Sequence, residues 1–434
     1  MLKNGIIIIG GYDMLSGVKV ISKKSMSISK NIIEIKSPEI VYIPLVNHSN
    51  MECDCLVDIG DEVLKGSIIG KRNDNIELPI HASVSGKVIG IEEKLYLNGD
   101  KVKCIAIQNN YKEKQELKGA KEKITSYSKE KFIELLKDCA VTGMGGSDFP
   151  TYIKYKGELN TIIINAVECE PYITSDFMIG ILKTEEILEA IDGIMEINNI
   201  NKGIVAIKDG NYSLKERFET FLGTYPNISL VSVSNIYPMG WEKHLIKELL
   251  NVEYEKVPSD KGIVVNNIAT IYAIYKALKY RKPISKRIIT ITGGMLKHPQ
   301  NVLAKIGTPV KEIINEIGVY KKGTSIKFIA GGPMMGMALE SDDLVVTKNL
   351  NCVLIIEGNA EYNDINCLRC GRCAYVCPAQ LSPVLIRDKV NDYENLIYLR
   401  PEKCIECGLC SYICPSKIDV RGAVKDAKKE IRRH

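Results

Sequence analysis

Two cysteine runs constrain this chain more than any other feature. Cys367, Cys370, Cys373 and Cys377, followed by Pro378, form C-x2-C-x2-C-x3-C-P, and Cys404, Cys407, Cys410 and Cys414, followed by Pro415, repeat the spacing. Three thiolates so close in sequence fit three corners of a cubane, whereas tetrahedral zinc usually takes two separated C-x2-C pairs. The expectation is two [4Fe-4S] clusters on these eight cysteines, with structural zinc and a disulfide knot as the competing readings.

The 434 residues suggest about three domains at roughly 150 residues each. Hydrophobic residues at 45% and charged residues at 26% are ordinary globular values and exclude a disordered or collagenous chain. Fifty-eight basic against 53 acidic side chains leave +5, too dilute a surplus for nucleic-acid binding unless it is clustered. No apolar run reaches the ~18 residues of a membrane helix, and the start lacks a secretory pattern. The expected location is therefore the cytoplasm, with no transmembrane segment.

Along the chain, short β-type runs punctuated by Gly60, Gly66, Gly70 and Gly86 predict a small all-β unit within residues 1–110. It resembles the lipoyl/biotinyl barrel, although residues 71–80 lack the lysine signature of the swinging arm. Residues 111–130, rich in Lys, Glu and Ser, read as a linker or solvated surface. Helical stretches over 132–139 and 184–195 alternate with strands over 161–164 and 203–207, which argues for a Rossmann-like α/β domain over 111–285. Residues 286–351 read as a β-grasp module. Residues 352–434 read as a helical, two-cluster ferredoxin-like domain with helices over 384–390 and 424–431. In such two-cluster folds the fourth cysteine of each run serves the other cluster. Cys377 is thus expected to join Cys404, Cys407 and Cys410, and Cys414 the first run, with Gly371 and Gly408 letting backbone amides approach the sulfides.

Among the other cysteines, Cys104, Cys139 and Cys352 sit in apolar surroundings and read as small buried hydrophobes. Cys53 and Cys55 follow His48 in a polar stretch. They read either as chance surface residues or as a redox thiol pair whose thiolate His48 favours.

The glycine-rich turn Gly143-Met144-Gly145-Gly146-Ser147-Asp148-Phe149-Pro150-Thr151, with Lys154 beyond it, can bring backbone amides and a positive charge against a phosphate or a flavin ring. Asn165-Ala166-Val167-Glu168-Cys169-Glu170-Pro171 follows the 161–164 strand, where cofactor-contacting carboxylates are expected. Together these segments resemble the flavin and nicotinamide site of the NADH-binding flavoprotein subunit of respiratory complex I. They resemble the RnfC component of the Rnf electron-transport complex more closely, through the run from Asn165 to Asp176, the Gly331-Gly332-Pro333-Met334-Met335-Gly336 segment and both cysteine runs. The resemblance implies an FMN bed of Gly143, Gly145, Gly146, Lys154, Asn165, Glu168, Asn266, Asn267 and Thr270. It also implies NADH contacts through Phe149, with Glu170 and Glu242 as the catalytic acids.

Three departures from that family stand out. Asp148 occupies a usual glycine position and is expected to crowd a dinucleotide phosphate, or else to face solvent. Trp241 replaces a glycine and either fills the nicotinamide pocket or sits in the core. Gly10-Gly11-Tyr12-Asp13 lacks the usual His-Pro. With Cys53 and Cys55, these departures lean towards a soluble paralogue similar to the proline-reductase-associated electron-transfer protein. The resemblance implies the NADH-linked oxidoreductase component of a larger electron-transfer system. Its partners would be Rnf membrane subunits, at the inner face of the cell membrane, or a soluble reductase. The competing reading is a flavin-less iron–sulfur subunit that docks and wires other proteins.

Overall fold

The computed structural model describes residues 8–9, 17–72, 74, 76–113, 123–318, 320–321, 325–358 and 366–433. The Gly10–Asp13 stretch and the middle of the lysine-rich segment lie outside the described residues.

The N-terminal barrel is two four-stranded antiparallel sheets. One runs Ile40–Pro44, Lys101–Asn109, Gly86–Leu95, Glu62–Val63, and the other Val46–Asn47, Met51–Cys55, Ile68–Arg72, Pro79–His81. Alternation along Gly86–Leu95 and Lys101–Asn109 turns Val88, Ile105 and Ile107 into a shared core. Ile124, within the segment read as solvated, is instead buried. It packs so closely on Gly193 that a Cβ there would meet its Cγ2 at 2.2 Å.

The Lys129–Asp138 helix begins at Ser128, whose side chain accepts from the Lys131 N–H as an N-cap. It leads into a four-stranded parallel sheet in the order Ile228–Val233, Lys202–Lys208, Thr161–Ala166, Ile263–Asn267. The central strands are near-continuous runs of Ile and Val because helices cover both faces, among them Thr184–Ile197 and Ile268–Tyr280. The carboxyl ends of Thr161–Ala166 and Ile263–Asn267 lie side by side, with Asn165 opposite Asn267.

The grasp module is a six-stranded mixed sheet around the Val310–Ile317 helix. Its central strand is Cys352–Glu357, paired parallel with Lys286–Thr292 and antiparallel with Ile326–Ala330. The module therefore extends past residue 351, and Cys352, placed by sequence in the cluster domain, belongs to this sheet. The pattern misled there because a single apolar run carries no signal of which sheet it joins. Helices Pro383–Asp388 and Val420–Arg433 frame the cysteine-rich domain.

Candidate functional site: a cleft shared by four domains

The fourth cysteine of each run crosses over. Cys377 lines one cavity with Cys404, Cys407 and Cys410, and Cys414 lines another with Cys367, Cys370 and Cys373. Backbone amides reach cysteine sulfur: Arg369 N–H donates to Cys367 Sγ at 3.4 Å, Glu406 N–H to Cys404 Sγ at 3.3 Å and Leu381 N–H to Cys377 Sγ at 3.4 Å. Gly371 and Gly408 hold left-handed positions, φ +73 and +78, at the starts of short helices. Burial pushes the Cys407 and Cys410 thiols up to about 12, so a bound metal group has to stabilise their thiolates at neutral pH. Among the described residues, no three His, Cys, Asp or Glu groups converge on a single-ion position. Residues 366–433 hold thirteen Lys and Arg against eight Asp and Glu, so the whole surplus of five is clustered in this domain.

A cleft of about 540 Å³ opens where all four domains meet, a size suited to a cofactor. The barrel contributes Asn50 and Tyr96 through Asn98, the parallel-sheet domain Gly145, Gly146, Asn165, Glu168, Glu170, Asp176, Trp241 and Asn267, and the grasp module Gly331, Gly332 and Met335. The cysteine-rich domain adds Ile405, Glu406, Arg421 and Lys425. Gly146, at φ +112 with open space where a Cβ would be, shapes the turn.

Of the residues assigned from sequence to the flavin and nicotinamide site, Gly145, Gly146, Asn165, Glu168, Glu170 and Asn267 meet in this cleft, while Gly143, Phe149, Lys154, Glu242, Asn266 and Thr270 stand outside its lining. Thr270 Oγ1 accepts from the Met144 N–H at 2.9 Å, and buried Asn266 donates to Tyr155 at 2.6 Å. Phe149 meets His48 edge-on at 5.2 Å, and Gly143 accepts from the Asp148 N–H at 3.0 Å. Lys154 Nζ donates to Val265 O at 2.8 Å and lies 3.6 Å from Glu242, which also accepts from Tyr254 at 2.9 Å.

Three expectations are corrected. Asp148 neither crowds the cleft nor faces solvent: it is 6% exposed and lines a separate small cavity with His81, Thr142 and Lys348. The Glu170 carboxylate is committed to the grasp module, accepting from the Met334 and Met335 amides at 3.2 and 2.8 Å. A Cβ on Gly332 would stand 2.2 Å from Glu170 Oε2, so any larger residue there would displace the Glu170 side chain. Cys53 is buried with its thiol pushed up to about 11 by desolvation, and the His48 ring engages Phe149 and the Ser147 carbonyl. Both facts oppose a reactive thiolate. Of the two readings of Trp241, the structure excludes the core: it is a wall of the cleft, its ring 4.9 Å from His244.

Other parts of the site carry little sequence signal. Lys24, from the N-terminal segment, donates to Glu168 Oε2 at 2.9 Å and to the Ile173 carbonyl. Arg421 clamps the other side of the Gly331–Gly336 loop, donating to Met334 O and Gly336 O at 3.1 Å and Met335 O at 2.7 Å. Tyr237 OH donates to Cys407 O at 2.7 Å, and Cys169, which no cysteine spacing marks, lies against Gly240. Asp176 stands in the Asn165–Asp176 run, so its letter was visible although its role was not.

Comparison with known proteins agrees with this layout. Residues 12–112 match the RnfC barrel sandwich hybrid domain, 136–276 the Nuo51 FMN-binding domain, 288–338 the SLBB domain and 366–418 a 4Fe-4S dicluster domain. The chain therefore carries an FMN-binding domain and a two-cluster [4Fe-4S] domain, and its donor groups suit both. It is 34% identical over 383 residues to the C subunit of the ion-translocating oxidoreductase complex of Vibrio cholerae, covering 86% of this chain but 49% of that one, so it spans about half that relative's length. It is 32% identical over 382 residues to the C subunit of the proton-translocating ferredoxin:NAD(+) oxidoreductase complex of Clostridium ljungdahlii, covering 85% of this chain and 82% of that one. It is 31% identical over 365 residues to the Na(+)-translocating counterpart of Acetobacterium woodii, covering 81% and 82%. An NAD+-reducing [NiFe]-hydrogenase structure shares the fold at a TM-score of 0.50 and 15% identity, over 73% of this chain and 63% of that one. No described helix is long and apolar enough to cross a membrane. With its sequence matched along most of its length and its four modules in the family's order, the chain belongs to the RnfC family.

Proposed function

We propose that the chain is an electron-transfer subunit that accepts hydride from reduced nicotinamide in the four-domain cleft and passes electrons through two [4Fe-4S] clusters to a redox partner. FMN supplies the conversion from a two-electron hydride to single electrons, which a cubane accepts one at a time. One observation carries the reading: the wall of the cleft includes Ile405 and Glu406, set between Cys404 and Cys407. The cluster held by Cys377, Cys404, Cys407 and Cys410 would thus lie next to the flavin, and that of Cys367, Cys370, Cys373 and Cys414 beyond it.

In this reading Gly145, Gly146, Asn165, Glu168 and Asn267 contact the flavin, and Trp241 borders the nicotinamide. Gly143, Phe149, Lys154, Asn266 and Thr270 support the bed from outside the lining. Glu242 positions Lys154, and Glu170 acts by holding the Gly331–Gly336 loop. The partner is a membrane subunit of an ion-translocating complex, as in the relatives' names, or a soluble reductase. The domain limits suggested are 1–110, 111–285, 286–358 and 359–434.

The test is anaerobic reconstitution followed by flavin, iron and sulfide analysis, then addition of NADH. Stoichiometric FMN, about eight iron atoms and cluster reduction by NADH are expected. Iron without flavin would overturn this reading in favour of a docking and wiring subunit.

A further inference from the structure

Asp176 is buried in the first turn of the Ser175–Leu182 helix, yet it is one of the residues lining the cleft. Its Oδ2 accepts from Asn267 Nδ2 at 2.6 Å, while its Oδ1, closed to bulk solvent, has no hydrogen-bond partner. Such an atom in a native protein calls for an explanation. Its backbone N–H donates to Glu168 Oε1 at 2.8 Å, and the other oxygen of Glu168 is held by Lys24 at 2.9 Å. Lys24, Glu168, Asp176 and Asn267 thus form one continuous polar chain along the wall where the flavin would lie.

The geometry points to Asp176 as the group that holds and delivers the proton accompanying two-electron reduction in this cleft, an inference that rests on the proposed flavin reading. Hydride from reduced nicotinamide brings two electrons and one hydrogen, so a neutral reduced flavin needs one further proton. The Asp176 carboxyl supplies it: its O–H bond breaks, an N–H bond forms on the flavin, and Asp176 is left as a carboxylate. Solvent protons restore the acid once the electrons have left and the flavin has released its protons.

The surroundings suit that role. Burial first, and then the Glu168 charge, raise the Asp176 carboxyl to about 7, against the pull of Asn267, Arg287 and Lys24. The group is therefore poised near neutrality, where proton transfer is most efficient. Lys24 sets the balance, because it neutralises the carboxylate nearest to Asp176.

Redox-difference infrared spectroscopy of the FMN-loaded, cluster-containing protein tests this assignment. A protonated carboxyl C=O band should disappear on flavin reduction, shift with carboxyl-13C aspartate, and be absent from Asp176→Asn with FMN still bound. Lys24→Met should move the pH midpoint of that band upward, which decides the matter if Asp176→Asn fails to fold. A band that persists in Asp176→Asn, a midpoint unmoved by Lys24→Met, or a flavin-loaded native protein without the band overturns the assignment. Failure of the native protein to bind FMN is a separate result, and it sinks the flavin reading along with this one.

Discussion

All eight cluster cysteines fall within residues 367–414, whereas the cleft draws on residues from Asn50 to Lys425. In the first region each run folds as a tight turn and short helix, and the crossover of Cys377 and Cys414 joins the two runs. In the second, no element contributes more than a fraction of the wall, and the contacts that grip its Gly331–Gly336 loop join residues 85 to 165 positions apart. Short-range chemistry leaves a spacing that can be read, and chemistry assembled by tertiary packing does not. The comparison also separates how the two regions should fail.

The largest effect is expected from Cys377→Ser. If the quartets cross, the variant loses the cluster of the other run and about half the iron, while the paramagnetic signature of the Cys367 run survives. Loss of the Cys367 run's cluster instead would show that each run closes on itself.

A slower break is expected at Asp176. Its carboxyl lies near the ordinary 3.8 in the unfolded chain and at about 7 in the folded one. The stabilisation is therefore present below about pH 4 and is lost as pH rises through 7, at up to ~1.4 kcal/mol per unit. Flavin-free protein melted across that range should show this fall, and Asp176→Asn should flatten it.

Arg421→Met removes three charge-assisted bonds to the Gly331–Gly336 loop and is expected to cost about 2 kcal/mol. Differential scanning calorimetry should show the cysteine-rich domain releasing earlier than in the native protein. An unchanged profile would mean that the clamp contributes nothing to docking.

The smallest effects separate the lining of the cleft from the layer around it. Asn165→Ala is expected to weaken FMN by about 1 kcal/mol, roughly fivefold. Lys154→Ala should cost less, because its ammonium is occupied by Val265 O and Glu242. The reverse order in a fluorescence titration would place Lys154 in the bed after all.

Much of the architecture was legible because its signals are local. The parallel sheet followed from alternating helical and strand signals, the barrel from its glycines, and the cluster sites from their spacing. The cleft was legible only in part. Asn165 and Glu168 could be named because they follow a strand of the parallel sheet, where such sheets place ligands, and Asn267 only through the family resemblance. Lys24 could not, since nothing in Ser22-Lys23-Lys24-Ser25 distinguishes that lysine from a solvated one. Asp148 was misread for the opposite reason. Its letter suggested a charge beside a phosphate, but the turn at φ +50 carries the side chain behind the loop, against Lys348 and His81. A glycine-rich motif specifies backbone shape well and says little about which side of the turn a substituted side chain will take.

The Gly331–Gly336 loop, gripped by Glu170 on one side and Arg421 on the other, also bears on how the molecule is made. A ribosome delivers the barrel and the parallel-sheet domain first, but the groups that complete the cleft, from Ile405 to Lys425, emerge only after both. The pocket therefore acquires its last wall only after the cysteine-rich domain has been synthesised and docked. Flavin loading is then expected to be completed only after the cysteine-rich domain has docked, and if that docking needs the clusters, iron-starved cells should accumulate a chain that holds its flavin poorly even with every flavin-contacting residue in place.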